Sequence, residues 1–411
     1  MSCRLVSGGT STVWRMAEYS KRPLGELVEC FDAKRQPIKG PDRVAGPFPY
    51  YGASGVIDYV DGFLYSGLHL LVAEDGENLR TRKTPVAFLA DGDFWVNNHA
   101  HVIVGNSKAD TRFLSYAVGI ADIASYLTGS TQPKLTQEAM LKVPVVAPPL
   151  PEQRAIAEVL GALDDKIESN RRVVELLHDL GDALLRRGLA KARGEQTTLP
   201  EGEFDDVLAI IETGKRPTGG VAGIENGVPS IGAESIVAAG NFDYSKTKFV
   251  PRDFYDSMTR GRLESGDVLL YKDGGTPGNF IPHVSMTLNG FPFEDAVINE
   301  HVFRLRVNAP YSQAFLYFWM RTPRMDYEMR LRGTGAAIPG LNSSNVKELP
   351  IPVLDEQRLE SMSNSLNAAV EMIHNRALES RNLEILRDAL LPALLSGRIR
   401  VPAAAELVEA S

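Results

Sequence analysis

His99 and His101 stand two residues apart in Asn-Asn-His-Ala-His-Val, an H-x-H that could hold a metal ion. Catalytic zinc takes three protein ligands and keeps one position open. No cysteine or second histidine cluster lies close in sequence to complete such a set. A second Asn-x-His occurs at Asn299–His301 and lacks the further histidine. The shared part therefore reads as a hydrogen-bonding structural motif at the head of a strand. A metal-dependent nuclease or hydrolase using His99 and His101 stands as the competing enzyme reading. Gly-Lys-Arg-Pro-Thr-Gly-Gly from Gly214 resembles a phosphate loop but lacks the G-x-x-x-x-G-K-[ST] order. No Asn-Pro-Pro-Tyr run of an amino-methyltransferase is present, and Asp91 and Asp93 read as turn residues. Cys3 and Cys30 are too few for a disulfide framework or zinc cluster and suit free thiols in a reducing cytoplasm, Cys30 being packed. No catalytic, cofactor or metal residue is assigned.

The elements that position these residues are written twice. Short matches recur in the same order. Pro49, Gly52 and Ala53 answer Pro229, Gly232 and Ala233; Asp75-Gly76 answers Asp273-Gly274; Asn97–His99 answers Asn299–His301. Gly129–Leu135 answers Gly335–Leu341, Pro144 answers Pro350, and Gln153 answers Gln357. The order and near-constant separation point to a duplication, with extra chain in the second copy between its first two matches. Each copy reads as short apolar strands between Gly, Pro, Asn and Asp turns, then one amphipathic helix (112–127 and 312–331), a Pro-bounded apolar run, and a long closing helix. Lys191–Glu203 is polar and turn-rich, a linker between copies.

The closing helices are expected over Pro151–Arg187 and Asp355–Leu391, each about 55 Å long at 1.5 Å per residue. Pro151 and Glu152 suit a helix start, and Asp355 suits a cap. The first carries a heptad seam of Ile156, Leu160, Leu163, Ile167, Asn170, Val174, Leu177, Gly181 and Leu184. Asn170 would fix register, and Gly181 would admit a partner helix closely. The second seam is Leu359, Met362, Leu366, Ala369 and Ile373; it falters, then resumes at Leu383, Leu386 and Leu390, and Pro392 ends or kinks it. Mutual antiparallel pairing of the helices competes with each packing on its own lobe. The expected fold is two α/β (α+β) domains joined by an antiparallel coiled coil, with a pseudo-two-fold internal repeat. Duplex DNA offers equivalent groove faces every ~34–36 Å, which suits a two-lobed reader. A coiled-coil scaffold without a DNA role would look similar.

The chain holds 411 residues, 44% hydrophobic and 23% charged, enough for two or three domains. No apolar run is long enough to span a membrane. The first residues lack the apolar core of a secretory signal and read as a loose leader. The net charge of −8 argues against a nonspecific coat for nucleic acid, so DNA contacts would need local basic loops or help from partners.

From about Pro23 to Val401 the sequence resembles the specificity subunit of Type I restriction-modification systems. The resemblance is carried by Pro-Tyr-Tyr-Gly-Ala (49–53), Leu-Leu-Val-Ala-Glu-Asp-Gly (70–76), Phe-Trp-Val-Asn-Asn-His (94–99) and Pro-Pro-Leu-Pro-Glu-Gln-Arg (148–154). In the second copy Gly-Asp-Val-Leu-Leu-Tyr-Lys-Asp-Gly (266–274), Asn-Glu-His (299–301) and the terminal Leu386–Val401 carry it. The leader and the seam broken after Ile373 depart from it. After the leader over 1–22, the resemblance implies target-recognition domain 1 over 23–149 and spacer helix 1 over 150–190. A linker over 191–203, target-recognition domain 2 over 204–353, spacer helix 2 over 354–395 and a tail over 396–411 complete the layout. It implies a non-catalytic chain that binds a bipartite, asymmetric site on double-stranded DNA, two methyltransferase subunits and restriction subunits. S-adenosylmethionine, ATP and Mg would sit on those partners, with no cofactor in this chain and no membrane contact.

Arg reads guanine by two parallel hydrogen bonds and Asn or Gln reads adenine, while most contacts go to phosphate. Candidates for DNA binding are Lys34, Arg35, Lys39, Ser130, Gln132 and Lys134 in the first lobe, and Lys215, Arg216, Thr218, Arg330 and Arg332 in the second. Each alone could be a solvated surface group; the paired basic, Gly- or Pro-rich loops are the stronger signal. Tyr50 and Tyr51 read as core.

Overall fold

The computed structural model describes residues 19–195, 197–333, 335 and 339–401. Cys3, most of the leader, the end of the tail and part of the Gly335–Leu341 loop lie outside the described residues. The chain divides into two units, Met1–Asp165 with Leu383–Ser411, and Lys166–Asn382.

In the first unit β1 (Lys21–Pro23) is followed by β2 (Val28–Cys30), β3 (Ala45–Gly52), β4 (Gly55–Val60), β5 (Tyr65–Ser66) and β6 (His69–Ala73). Then come α1 (Asn78–Thr81), β7 (Ala87–Ala90), β8 (Asp93–Val96), β9 (Ala100–Gly105), α2 (Thr111–Gly119), α3 (Gln137–Lys142) and β10 (Pro144–Val146). One sheet has the order β2-β9-β6-β7, another β4-β3-β8-β5, and β1 pairs with β10. β3 and β8 run parallel, with Tyr50 opposite Trp95. Strand β6 is apolar on both faces, as a strand covered on both sides must be. Leu70 and Val72 enter the core under α2, while Leu71 joins Phe94, Val96 and Val102 on the other face. Ordered structure begins before Pro23, since Lys21 pairs with Val146 and the Tyr19 hydroxyl donates to Glu152 (2.7 Å).

α4 (Leu150–Arg193) belongs to the first unit up to Asp165 and to the second from Lys166. The second unit continues with β11 (Glu201–Glu203), α5 (Phe204–Val207), β12 (Leu208–Thr213), β13 (Val228–Ile231), β14 (Ile236–Ala238), β15 (Asn241–Phe242) and β16 (Lys248–Val250). Next are α6 (Arg252–Ser257), β17 (Val268–Tyr271), β18 (Gly275–Thr276), β19 (Asn279–Phe280), β20 (Val284–Met286), β21 (Val297–Ile298) and β22 (Val302–Val307). α7 (Gln313–Met320), α8 (Pro323–Arg332), α9 (Ser343–Lys347), β23 (Pro350–Pro352) and α10 (Glu356–Ser396) complete it, α10 passing to the first unit at Leu383. The sheet β12-β22-β17-β20 repeats β2-β9-β6-β7 strand for strand, and β16-β13-β21, with β13 and β21 parallel, repeats β4-β3-β8. The pair β11-β23 repeats β1-β10. The duplication legible in the sequence is thus a duplication of topology. The extra chain of the second copy is β14, β15 and the turn after them. It lies against the long helices, with Ala239 O accepting from His178 Nε2 (2.9 Å) and the Arg381 guanidinium over the Tyr244 ring (3.9 Å).

Two expected helices are cut short. The first ends at Gly119, with only a 3₁₀ turn at Ala124–Tyr126 beyond it. The second is split because Pro323 has no N–H to continue α7 and Thr322 caps a new helix, accepting from Met325 N. The long helices outrun their expected ends. α4 reaches Arg193, and α10 passes through Pro392 to Ser396, where buried Leu394 and Leu395 hold the last turn against the first unit's core. The Asp355 cap forms, accepting from Arg358 N (2.9 Å).

Within the first unit Ile156, Leu160 and Leu163 share a core with Leu390, Leu394 and Leu395, and Arg387 Nη1 donates to Asp164 Oδ1 (2.8 Å). Within the second, Lys166 and Asn170 both meet Glu379 (3.1 Å each), and Arg358 Nη1 donates to Ala192 O (3.4 Å). Rising numbers on α4 meet falling numbers on α10, so the pair is antiparallel. Both sequence readings of the helices hold together, because the seam residues Val174, Leu177, Leu359, Leu366 and Ile373 also join the core of Phe315, Tyr317 and Phe318. Ile167 is buried and Met362 partly so. That double packing moves the seam. Leu184 is half-buried and Leu185, one step on, is fully buried, as a straight 3.6-residue helix drifting off a 3.5-residue repeat requires. Gly181 faces Phe318 of α7 rather than α10; the close approach of the long helices is at Gly188, against Met362. No helix among the described residues is long and apolar enough to cross a membrane.

Candidate nucleic-acid interface

In each unit the Asn-x-His links the strand that runs parallel to its neighbour, β8 or β21, to the central strand β9 or β22. Asn97 Oδ1 accepts from His99 N (2.8 Å), and Asn299 Oδ1 accepts from His301 N (2.9 Å). His99 Nδ1 lies 2.7 Å from Asp75 Oδ2, and His301 Nδ1 lies 2.9 Å from Asp273 Oδ2. The backbone closes the same way around both. Glu74 N donates to His99 O (2.9 Å) and Lys272 N to His301 O (3.0 Å). Gly76 N donates to Pro133 O (3.1 Å) and Gly274 N to Pro339 O (3.0 Å); Leu135 N donates to Glu74 O and Leu341 N to Lys272 O (2.7 Å each). Three of the repeated sequence matches therefore meet at one corner, and the Asn-x-His is the structural motif its repetition suggested.

What is built on that corner differs between the units. In the first, buried His101 puts Nδ1 2.5 Å from Asp32 Oδ2 and Nε2 2.8 Å from Leu135 O. Both ring nitrogens lie within hydrogen-bond distance of oxygen atoms. Arg35 bridges Asp32 (3.1 Å) and Glu74 (2.5 Å) and donates to Ala100 O, and Lys134 Nζ pairs with Glu74 (3.0 Å). Asp32, Glu74 and His101 are close enough to hold a metal, but Arg35 and Lys134 already pair with the two carboxylates. Burial alone would raise the Asp32 carboxyl; the His101 hydrogen bond and charge, Val102 N–H and Arg35 outweigh it and hold it below the usual carboxylate range. Glu74 is likewise held low against its burial by Arg35 and Lys134. Burial pushes the Cys30 thiol up to about 11, in keeping with a packed, unreactive cysteine.

In the second unit Phe303 stands where His101 stands in the first, and the buried charges move to the neighbouring rows of β22. Asp267, fully buried, accepts from Arg304 Nε (2.6 Å) and from Arg306, and Arg304 Nη1 reaches Glu212 (2.8 Å). Arg216, in the loop after β12, pairs with Glu300 (2.7 Å) beside His301.

The candidate residues divide accordingly. Lys34 and Lys39 are exposed, Lys34 lying over the Phe31 ring (5.5 Å). Ser130 and Gln132 are exposed in a loop closed by paired backbone hydrogen bonds between Thr128 and Lys134 (2.8 Å each). Arg35 and Lys134 bring the 32–39 and 128–135 segments together at Glu74, with their cationic groups in ion pairs. Lys215 and Thr218 are exposed near Arg216. Arg330 and Arg332 close α8 and pair with Asp326 (2.7 Å) and Glu328; Arg330 also donates to Phe280 O (3.0 Å), on the β19 side of the unit. Tyr50 is core, and Tyr51 packs on Phe88 and Phe94. Sequence reasoning misses Asp32, Glu74 and Glu300, which anchor the basic side chains, and Arg80, whose Nη2 donates to Gly129 O (3.0 Å). Glu74 adjoins a repeated Asp-Gly and is within reach of such reasoning; Asp32 becomes visible only once β2 is paired with β9.

Residues 16–177 match the type I restriction modification DNA specificity domain. A putative type I restriction enzyme specificity subunit of Haemophilus influenzae is 36% identical over 151 residues, 36% of this chain and 38% of that protein's length. The MjaVIII specificity subunit of Methanocaldococcus jannaschii is 20% identical over 404 residues, covering 92% of each chain. The crystal structure of the S subunit of a type I restriction-modification system from M. genitalium superposes with a TM-score of 0.60 at 16% identity, over 93% of this chain and 97% of that one, which establishes a common fold. The two-part α/β architecture with long helices is thus that of the S subunits. Residues 16–177 match the DNA specificity domain of type I restriction-modification systems, and over most of its length the chain is similar to type I specificity subunits in sequence and shares the fold of an S subunit.

Proposed function

We propose that this chain reads double-stranded DNA, one short sequence with each unit, and recruits methyltransferase and restriction subunits to the site. The target is bipartite and asymmetric. The observation that carries the reading is the pairing of a repeated strand-and-hydrogen-bond frame with loops of different composition: Lys34, Lys39, Ser130 and Gln132 in the first unit against Lys215, Arg216 and Thr218 in the second. A common frame suits a common duplex, and different loops suit different bases. Arg35, Lys134, Arg330 and Arg332 serve in this reading to shape the loops and to present positive charge. S-adenosylmethionine, ATP and Mg belong to the partner subunits, and the complex works in the cytoplasm.

With a net charge of −8, this chain relies on its partners for much of the phosphate neutralisation. Alone it binds target DNA weakly with a shallow salt slope; with the methyltransferase it binds more tightly with a steeper slope. Equal affinity and slope in the two cases would refute that division of labour. Mapping of methylated adenines in DNA exposed to the chain and its methyltransferase should return a two-part motif. Exchange of the 128–135 loop should alter one half of it and leave the other.

A further inference from the structure

The two units have parted at most positions around the Asn-x-His corner, both on the surface, where Asn98 is matched by Glu300 and Lys134 by Gly340, and inside, where Glu74 is matched by Lys272 and His101 by Phe303. One solvent-facing pair has not parted: His99 with Asp75 and His301 with Asp273. The histidine side chains are 49% and 41% exposed, although the backbone hydrogen bonds that close the corner need no imidazole. In a molecule whose halves read different bases, a shared exposed group fits a feature that both half-sites share, the phosphate backbone.

We infer that His99 and His301 are matching phosphate contacts, each oriented by its aspartate. The inference rests on the DNA-reading proposal. The chemistry follows from the geometry. The aspartate takes the Nδ1–H, leaving Nε2 as the outward atom. Neutral Nε2 is an acceptor and repels a phosphate oxygen; protonated, it donates a charge-assisted hydrogen bond. A phosphate oxygen at Nε2 therefore needs a ring that donates at both nitrogens, one hydrogen bond to the aspartate and one to the phosphate. His99 faces Asp75, with Glu74 and its partners Arg35 and Lys134 behind. His301 faces Asp273, Lys272 next to that carboxylate (3.9 Å), and Glu300, whose Oε1 is 3.4 Å from Nε2 and also pairs with Arg216. The phosphate must displace Glu300 in the second unit, so His99 is the stronger contact.

His99→Asn and His301→Asn test this, because the asparagine amide keeps a donor for the aspartate while removing the outward nitrogen. The full-length wild-type chain, each single variant and the double variant are titrated with two unrelated fluorescent duplexes across salt and between about pH 6 and pH 8, the range where histidine titrates. The double variant is expected to bind both duplexes several-fold more weakly, with a salt slope smaller by about two and a flattened pH dependence. His99→Asn should account for the larger share, and thermal melting should not move. Unchanged affinity, slope and pH profile would overturn the inference while leaving DNA reading intact. So would a loss confined to one duplex, which would mark base readout, or a melting shift that accounts for the binding loss. A wild-type chain that binds neither duplex, alone or together with its methyltransferase, would remove the DNA-reading proposal and this inference with it.

Discussion

Three glycines of α4 make a graded test of how its packing is shared between partners. Exchanging Gly for Ala inside a helix gains about 1 kcal/mol when the new methyl meets nothing. Gly161 is such a position, with open space where the methyl carbon would sit. At Gly188 the same carbon comes within 2.7 Å of the Met362 thioether, a flexible side chain that can turn aside, so gain and cost nearly cancel. At Gly181 it lands 2.1 Å from the Phe318 ring, a side chain fully buried among Tyr317, Phe315 and Leu316. That ring cannot retreat without opening the core, and overpacking of this kind costs about 1–3 kcal/mol. Gly181→Ala is therefore expected to destabilise by up to about 2 kcal/mol net of the helix gain, with a methyl this close favouring the upper end. Urea denaturation of the three alanine variants, followed by helical circular dichroism and by tryptophan fluorescence, measures the order. Trp319 adjoins Phe318 and is itself nearly buried, so its emission reports this part of the second unit. A Gly181→Ala protein at least as stable as Gly161→Ala would refute the claim that α4 is clamped by its own domain.

Asp267→Asn leaves the guanidinium groups of Arg304 and Arg306 beside a neutral amide in a fully buried position, and should cost about 3–5 kcal/mol by chemical denaturation; a loss below about 1 kcal/mol would show that the arginines reach solvent. His178 is held neutral, its basicity lowered first by burial and then by Arg321. The unfolded chain takes up the proton more readily, so stability should be level above about pH 6.5 and fall as pH drops below it. His178→Gln should flatten part of that fall, the remainder including His374, which burial also holds low; an unaltered pH profile would count against the assignment. Asn170→Leu removes one hydrogen bond from Glu379, which keeps Lys166 and Arg376, and places an apolar side chain on the seam. It should stabilise the isolated chain by about 1 kcal/mol, and a clear loss of stability would mean that the amide bond outweighs the apolar gain.

The duplication, the strand-rich domains, the antiparallel helices and the Asp355 cap are legible in the sequence because each writes a local pattern: matched Asp-Gly, Asn-x-His and Pro signals, and apolar residues at helical spacing. The split at Pro323 has a local signal too, but it is masked because the apolar run through Trp319 and Met320 resumes at Met325 and Met329. The shift from Leu184 to Leu185 is not legible, since it depends on Phe318 claiming one side of the helix. The basic loops can be located, but not the state of their charges. Arg35 reads as a surface cation in Asp-Ala-Lys-Arg-Gln and becomes the centre of a buried network only because β2 lies beside β9 and brings Asp32 to His101. Three-dimensional neighbours, absent from any local window, decide which cations are bound and which face solvent.

The short excursion of β14 and β15 has a practical corollary for modular engineering. Because His178, Ile373 and Arg381 of the long helices receive Ala239, Gly240 and Tyr244, the second domain and its stretch of helix form a fitted lock and key. A transplant cut only at β11 and β23 would carry the key into a foreign lock. A graft that takes its own helical facing along should be the one that survives.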